Sequence, residues 1–311
     1  MNPKKKIIID TDLGDDIDDA FAVLIAAVSD EIDVLGITTV YRCPEARAKM
    51  TSYLLEKAGY NLNIYCGNKY PLKAKSIWGK AIDFDSLPWS YSKDYDNQKI
   101  QNETAFDFYC RILETTQDVT IVTLGPLTNI AELFTKRADL ITKIKKLVIM
   151  GGAFTLNRSE YNIVCDPDAA KIVFESGCAM DLVGLDVTLR CEIPNDKLEM
   201  LWRRGGVFQI LYNMRKLWGN RVILHDPLAL MSVIDDSILK FENAVISAET
   251  KGEFTKGMTV VLSDNDWKVS KEKTKTRMAV DVDVPRFTEE IFKRLQLLDK
   301  RTDKIENKKL C

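Results

Sequence analysis

Positions 7–19 read IIIDTDLGDDIDD, three isoleucines followed by six aspartates within ten residues. A short run of β-branched apolar residues predicts a strand buried on both faces, as in a parallel sheet. No Lys or Arg lies between Ile7 and Tyr41, so no neighbour in sequence neutralises the carboxylates. Carboxylates packed together at a strand end repel one another and take up protons unless a cation is bound.

The ligand atoms of this acidic stretch favour a hard cation. They are oxygens with no nearby His or Cys, which favours Ca²⁺ or Mg²⁺ over zinc. A solvated acidic loop that only caps a helix is the alternative interpretation. The position directly after a buried strand favours the metal site, although it leaves open whether Asp15 or Asp16 also contacts the ion.

Short apolar runs alternate with helical patterns along the first 185 residues. Strands are predicted at 6–10, 33–40, 62–66, 119–124, 146–150 and 181–185, and helices at 19–29, 45–58, 104–115, 129–135 and 167–176. This alternation predicts an α/β fold, a mostly parallel central sheet flanked by helices. We expect one domain over residues 1–311, with a flap at about 74–101 and a helical lid segment at about 200–224. Functional groups should gather where the strands end.

The composition excludes several classes of protein. The chain is 46% hydrophobic and 29% charged, as in an ordinary globular protein, and its net charge of −2 gives no attraction to nucleic acid or to an anionic membrane. No apolar run approaches the ~20 residues of a membrane span. Seven scattered cysteines without a CxxC motif indicate reduced thiols in the cytoplasm. The partner expected is a small molecule.

His225 is the only histidine in the chain, which excludes a two-histidine zinc site. Pro227 predicts the start of a helix with Asp226 as its N-cap, so a structural histidine beside a cap is one interpretation. In the functional interpretation Asp226 is a further metal carboxylate and His225 gives a proton to a leaving group.

Five stretches, in this order, resemble the nucleoside hydrolases, often called inosine-uridine preferring. The aspartate signature DTDLGDDIDDA at 10–20 is the first, in a version two residues longer than the commonest form. The others are LGPLTN at 124–129, MGGAF at 150–154, EYN at 160–162 with DPDAA at 166–170, and HDP at 225–227. Each motif is short, but five in this order are specific.

The resemblance implies a Ca²⁺-dependent N-glycosidase that cleaves a ribonucleoside or related N-riboside to free base and ribose. Asp12 would bind the metal and act as general base on the metal-bound water. Asp19, Asp226 and the backbone carbonyl of Leu124 would be the other ligands, and His225 would lie near the departing base. Family members are commonly dimers or tetramers, so a homo-oligomer is expected by analogy.

The resemblance also implies which residues bind ribose: Asp18, Asn157, Glu160 and Asn162. Trp78 in the flap and Trp218 in the lid segment have two interpretations, packing within the protein or stacking on a nucleobase. Tyr41-Arg42-Cys43 stands where the family usually has Gly and a polar residue. The base preference and the roles of Arg42 and Cys43 therefore stay open.

Two alternatives compete with this hypothesis. A nucleoside- or sugar-binding protein of the same fold with lost turnover is suggested by Cys43, a poor partner for a ribose hydroxyl. A Mg²⁺-dependent phosphatase of the haloacid dehalogenase type would use Asp10 as nucleophile and Asp12 as acid/base. That reading leaves the segments 160–162 and 225–227 without a role.

Overall fold

A computed structural model describes residues 3–14, 16–73, 99–218, 221–263 and 274–309. Within these residues the strands are β1 (Lys5–Thr11), β2 (Ile32–Thr39), β3 (Ile64–Cys66), β4 (Ile100–Gln101), β5 (Val119–Thr123), β6 (Ile144–Met150), β7 (Met180–Val183), β8 (Leu239–Asn243), β9 (Val245–Ala248), β10 (Thr259–Leu262) and β11 (Thr276–Val282). Nine of them form one sheet in the order β4-β3-β2-β1-β5-β6-β7-β11-β8. All neighbours in it are parallel except β8, which pairs antiparallel with β11. The mostly parallel sheet predicted from the sequence is confirmed.

Helices follow most strands and cover both faces of the sheet. They are α1 (Asp18–Val28), α2 (Pro44–Lys57), α3 (Ala105–Thr115), α4 (Thr128–Lys136), α5 (Tyr161–Cys165), α6 (Pro167–Phe174), α7 (Leu185–Thr188), α8 (Asn195–Trp202), α9 (Val207–Trp218), α10 (His225–Ile234) and α11 (Val284–Lys309). No helix in the described ranges is long and apolar enough to cross a membrane.

The isoleucine run of β1 lies at the centre of the sheet and joins both halves of the core. Ile7 and Ile9 pack with helices α1, α2 and α10 on one face, whereas Ile8 packs with α3 and α4 on the other. Successive side chains of a strand point to opposite faces, so a continuous apolar run is what a strand covered on both sides requires. β1 pairs with β2 on one side and β5 on the other. Its carboxyl end is therefore placed in the middle of the sheet edge.

Several predicted boundaries shift for local reasons. The strand predicted at 181–185 ends at Val183, because the chain turns at Gly184 and α7 begins at Leu185. A Cβ on Gly184 would lie 2.7 Å from the backbone oxygen of Gly152, so only glycine fits this crossing.

The predicted lid segment, 200–224, contains the end of α8 and all of α9. Most of the predicted flap, 74–98, lies outside the described residues, and its last two residues form β4 instead of a loop.

Candidate active site

A cavity of about 340 Å³ opens where the central strands end. Eight residues predicted for the site line it: Asp12, Asp18, Asp19, Leu124, Glu160, Asn162, His225 and Asp226. They come from the segments that follow β1, β5 and β6 and from the start of α10. Residues more than 200 positions apart therefore meet at one edge of the sheet, as the rule for open α/β sheets predicts.

Three carboxylates form the tightest cluster in this cavity. Oxygens of Asp18, Asp19 and Asp226 lie within 4.8 Å of one another, and all three residues are buried. The backbone N–H of Asp226 donates to Oδ2 of Asp18 at 3.1 Å. The hydroxyl of Thr11 donates to the carboxylate of Asp19. Asp12 is equally buried and lines the same cavity.

Burial and mutual repulsion act together on these carboxylates. Burial raises the pKa of Asp18 to about 6. It also raises the pKa values of Asp19 and Asp226 well above their ordinary range, and the negative charge of Asp18 raises both further. Such a cluster is stable only with protons or with a cation among its oxygens. A donor set made only of oxygens fits a hard divalent ion.

The predicted ribose residues are held by backbone groups. Glu160 is the N-cap of α5, where its Oε1 accepts from the N–H of Asn162 at 2.9 Å and its Oε2 from Gly152 at 3.1 Å. Burial raises the pKa of Glu160 to about 7. The side-chain amide of Asn162 donates to the carbonyl of Leu124 at 2.7 Å. Glu160 and Asn162 are therefore fixed in orientation before any ligand arrives.

His225 is the first residue of α10 and lies half-buried on the cavity wall. Its Nδ1 lies 2.7 Å from the hydroxyl oxygen of Thr188 in α7. Burial lowers the pKa of His225 to about 4, so the imidazole is neutral at pH 7. The prediction of Asp226 as N-cap is wrong: the helix starts at His225, two residues before Pro227, with Leu224 as its N-cap, and the Asp226 carboxylate joins the acidic cluster instead.

Of the other three predicted site residues, the structure describes the surroundings of one only. Asn157 lies exposed on the loop before α5 and does not line the cavity. Trp78 lies outside the described residues. Trp218 is the last residue of α9, and its side chain lies outside the description.

The cavity also contains residues that the sequence did not single out. Arg158 and Tyr161 line it, and Thr188 orients the histidine. Arg158 lies in an irregular loop and Thr188 in a four-residue helix, where no periodicity marks a functional side chain. Arg158 and Tyr161 lie beside or within the motif at 160–162, and Thr188 follows the strand predicted at 181–185, at the sheet edge where functional groups are expected.

The family profile of the inosine-uridine preferring nucleoside hydrolases matches residues 7–289. The chain belongs to this family. The nucleoside hydrolase is 32% identical over 309 residues to the pyrimidine-specific ribonucleoside hydrolase RihA of Salmonella gallinarum, covering 93% of this chain and 98% of the relative. It is 32% identical to uridine nucleosidase 1 of Arabidopsis thaliana over 278 residues, covering 81% and 80%.

The structure resembles the purine-preferring ribonucleoside hydrolase of Gardnerella vaginalis with a TM-score of 0.84 and 28% identity, covering 95% of this chain and 99% of that one. The protein is accordingly a hydrolase of N-glycosyl bonds that acts on ribonucleosides. The family match favours the nucleoside hydrolase hypothesis over a haloacid dehalogenase-type phosphatase and over a binding protein without turnover. The base preferences in the relatives' names differ, so similarity alone leaves the base open.

Proposed function

We propose that the protein is a Ca²⁺-dependent hydrolase that releases free base and ribose from a ribonucleoside. One observation carries this proposal: the buried carboxylate cluster and the fixed pair Glu160 and Asn162 face the same cavity as His225. The cluster suits a cation, the pair suits sugar hydroxyls and the histidine suits a departing base.

Asp12, Asp19, Asp226 and the carbonyl of Leu124 would hold the ion. Asp18 lies in the same cluster, with one oxygen engaged by the N–H of Asp226, so its other oxygen can serve either the ion or a ribose hydroxyl. When bound, the ion polarises the attacking water and offsets the charge of the surrounding carboxylates.

Asp12 takes the proton from the attacking water. A carboxylate suits this role because water near a Ca²⁺ ion is only modestly acidified and needs a base beside it. The transition state resembles a ribosyl oxocarbenium ion, and the negative charges of Asp18 and Asp19 stabilise its positive charge. Glu160 and Asn162 hold hydroxyl groups of the ribose. A site built for these hydrogen bonds rejects deoxyribose, which would leave buried polar groups without partners.

His225 assists departure of the base by donating a hydrogen bond from Nε2. A neutral imidazole can do so when the Thr188 hydroxyl donates to Nδ1, because the ring hydrogen then lies on Nε2. Trp78 and Trp218 are proposed to stack on the base, and residues 74–101 and 200–224 to cover the site. Asn157 is proposed to hold a ribose hydroxyl. We also propose one domain over residues 1–311 and a homo-oligomeric state. A cytoplasmic location is proposed because the cysteines among the described residues form no disulfide bonds.

The test is a panel of ribonucleosides and their 2′-deoxy analogues, assayed for free base and free sugar with Ca²⁺ and with chelator. We expect release from ribonucleosides only, and only with the ion. Asp12→Asn is the matched inactive variant. Tight ribose binding without turnover of any nucleoside would instead support the binding-protein alternative.

A further inference from the structure

Arg47 lies in the first half of α2 and is completely buried. Arginine is rarely buried without a specific partner, because desolvation of a charge is costly. In this helix Arg47 lies three, seven and eight residues before Met50, Leu54 and Leu55, so helical spacing places the arginine on the buried apolar face. Its contacts therefore need an explanation.

The guanidinium group donates to two loops at once. Its Nη1 donates to the backbone carbonyls of Asp12 and of Leu13, the latter at 3.2 Å. Its Nε donates to the carbonyl of Tyr41 at 2.9 Å. Asp12 and Leu13 follow β1 and Tyr41 follows β2, so one side chain links the chain segments after two neighbouring strands.

Both loops are shaped to meet this side chain. Gly14 has a φ of +119°, and a Cβ there would lie 2.9 Å from Cε of Met50 and 3.6 Å from Nη1 of Arg47. The acidic loop therefore lies directly on α2. Tyr41 and Arg42 both adopt left-handed φ values, 71° and 60°, which are strained for residues other than glycine. The hydrogen bond from Arg47 to the Tyr41 carbonyl supports that strained turn.

We propose that Arg47 is a positioning residue that fixes the backbone of Asp12 and so aims the Asp12 carboxylate at the metal site. This inference rests on the proposed function. Arginine suits the task because its rigid planar fork presents several N–H groups in different directions, whereas the single ammonium of lysine cannot reach both loops in the same way. The chain thus holds a general base through its peptide group on the side of α2, and Asp12 lines the cavity.

The test is the Arg47→Lys variant, which keeps the positive charge and loses the fork. Calorimetric titration with CaCl₂ should show Ca²⁺ affinity about tenfold weaker or more, the range typical of groups that orient metal ligands. With saturating ion, kcat should fall by about as much, while KM changes little because Glu160 and Asn162 are untouched. If Arg47 only stabilised the fold, the folded Arg47→Lys variant would bind Ca²⁺ as tightly as the unaltered protein.

Arg294→Lys is the matched control. Arg294 is also buried, with Nε donating to Ser29 at 3.0 Å and Nη2 to Glu31 at 2.6 Å, at the opposite end of β2 from the site. The Arg294→Lys variant should have a lower melting temperature than the unaltered protein and the same Ca²⁺ affinity.

Four results would distinguish the possibilities. Unchanged Ca²⁺ affinity in folded Arg47→Lys overturns the positioning role alone. An equal loss of affinity in Arg294→Lys overturns it as well, since general destabilisation would then be the cause. A native protein that binds no Ca²⁺ overturns the proposed function first. Should Arg47→Lys fail to fold, Arg47→Gln takes its place, and native-like Ca²⁺ affinity in that variant overturns the inference.

Discussion

The imidazole Nδ1 of His225 lies 2.7 Å from the hydroxyl oxygen of Thr188, which is itself completely buried. Thr188 ends α7 and His225 begins α10, so the contact joins two helix termini at the cavity wall. A hydrogen bond to one ring nitrogen fixes both the orientation and the tautomer of a histidine. The proposed role of His225 in departure of the base would thus depend on Thr188.

Thr188→Val tests this relationship. Valine keeps the volume and removes the hydroxyl, so Nδ1 loses its partner and Nε2 is no longer oriented. We expect kcat on a ribonucleoside to fall about tenfold. A 4-nitrophenyl riboside, whose leaving group needs no proton, should be hydrolysed at nearly the native rate by the same variant. An equal loss on both substrates would show that Thr188 acts on something other than the leaving group.

Asp12→Asn tests the general base. The amide keeps the shape of the side chain and cannot accept a proton, so kcat should fall by a factor of about 10² to 10⁴. Ribose should still bind, because Asn162 and Glu160 are unchanged, and calorimetry measures this. Asp30→Asn, at a fully exposed carboxylate, is the control and should keep full activity. Near-native turnover by Asp12→Asn would contradict the assignment of the base.

The sequence predicted the elements whose pattern is local. The apolar run Ile7–Ile9 identified β1 as a buried strand, and the rule for open α/β sheets identified the edge where the cavity opens. The motifs of the family placed eight residues that line the cavity. These features share one property: residue type and short spacing are enough to recognise them.

The rest depends on contacts between distant segments. Helical spacing places Arg47 on the apolar face of α2, but only the fold shows that its guanidinium group meets the backbone carbonyls of Asp12 and Leu13. The strand predicted to reach 185 stops at Val183 because Gly184 passes close to the Gly152 carbonyl. The family resemblance implies that Asn157 binds ribose, and the structure shows this residue exposed on the loop before α5. These contacts join segments that are far apart in the chain, so the spacing of residue types along the sequence cannot predict them.

Ca²⁺ binding should depend steeply on pH. The pKa values of Asp18, Asp19 and Asp226 are all raised by burial, so at mildly acidic pH protons occupy oxygens that the ion needs. Binding must displace them, and affinity should therefore rise between about pH 5 and pH 8. The measurement is the increase in melting temperature on adding Ca²⁺ in place of chelator, since an ion that binds only the native state stabilises it. The same increase at both pH values would argue against a cluster of protonated carboxylates.

Asp10 is expected to make the metal-free protein less stable as pH rises. It is completely buried in β1, and its Oδ1 accepts from Thr38 at 2.5 Å and from Asn129 at 2.7 Å. Its Oδ2 is buried and has no hydrogen-bond partner among the described residues. Burial raises the pKa of Asp10 to about 7 from an ordinary value of 3.8. The folded state therefore keeps a proton that the unfolded state has lost, and this contribution to stability is present below about pH 4 and lost as pH rises through about 7.

Asp10→Asn removes that proton exchange and keeps an oxygen for Thr38 and Asn129. The free energy of unfolding of this variant minus that of the native protein should be larger at pH 8 than at pH 5, because only the native protein loses stability as pH rises. Urea unfolding in chelator at both pH values measures the difference, and comparison with the native protein cancels the contributions of the other carboxylates. Asp33→Asn, at an exposed position of β2, is the control and should show no such change between the two pH values. If Asp10→Asn behaves like that control, Asp10 is ionised in the folded protein throughout this range, and the buried hydrogen bonds suffice to hold its charge.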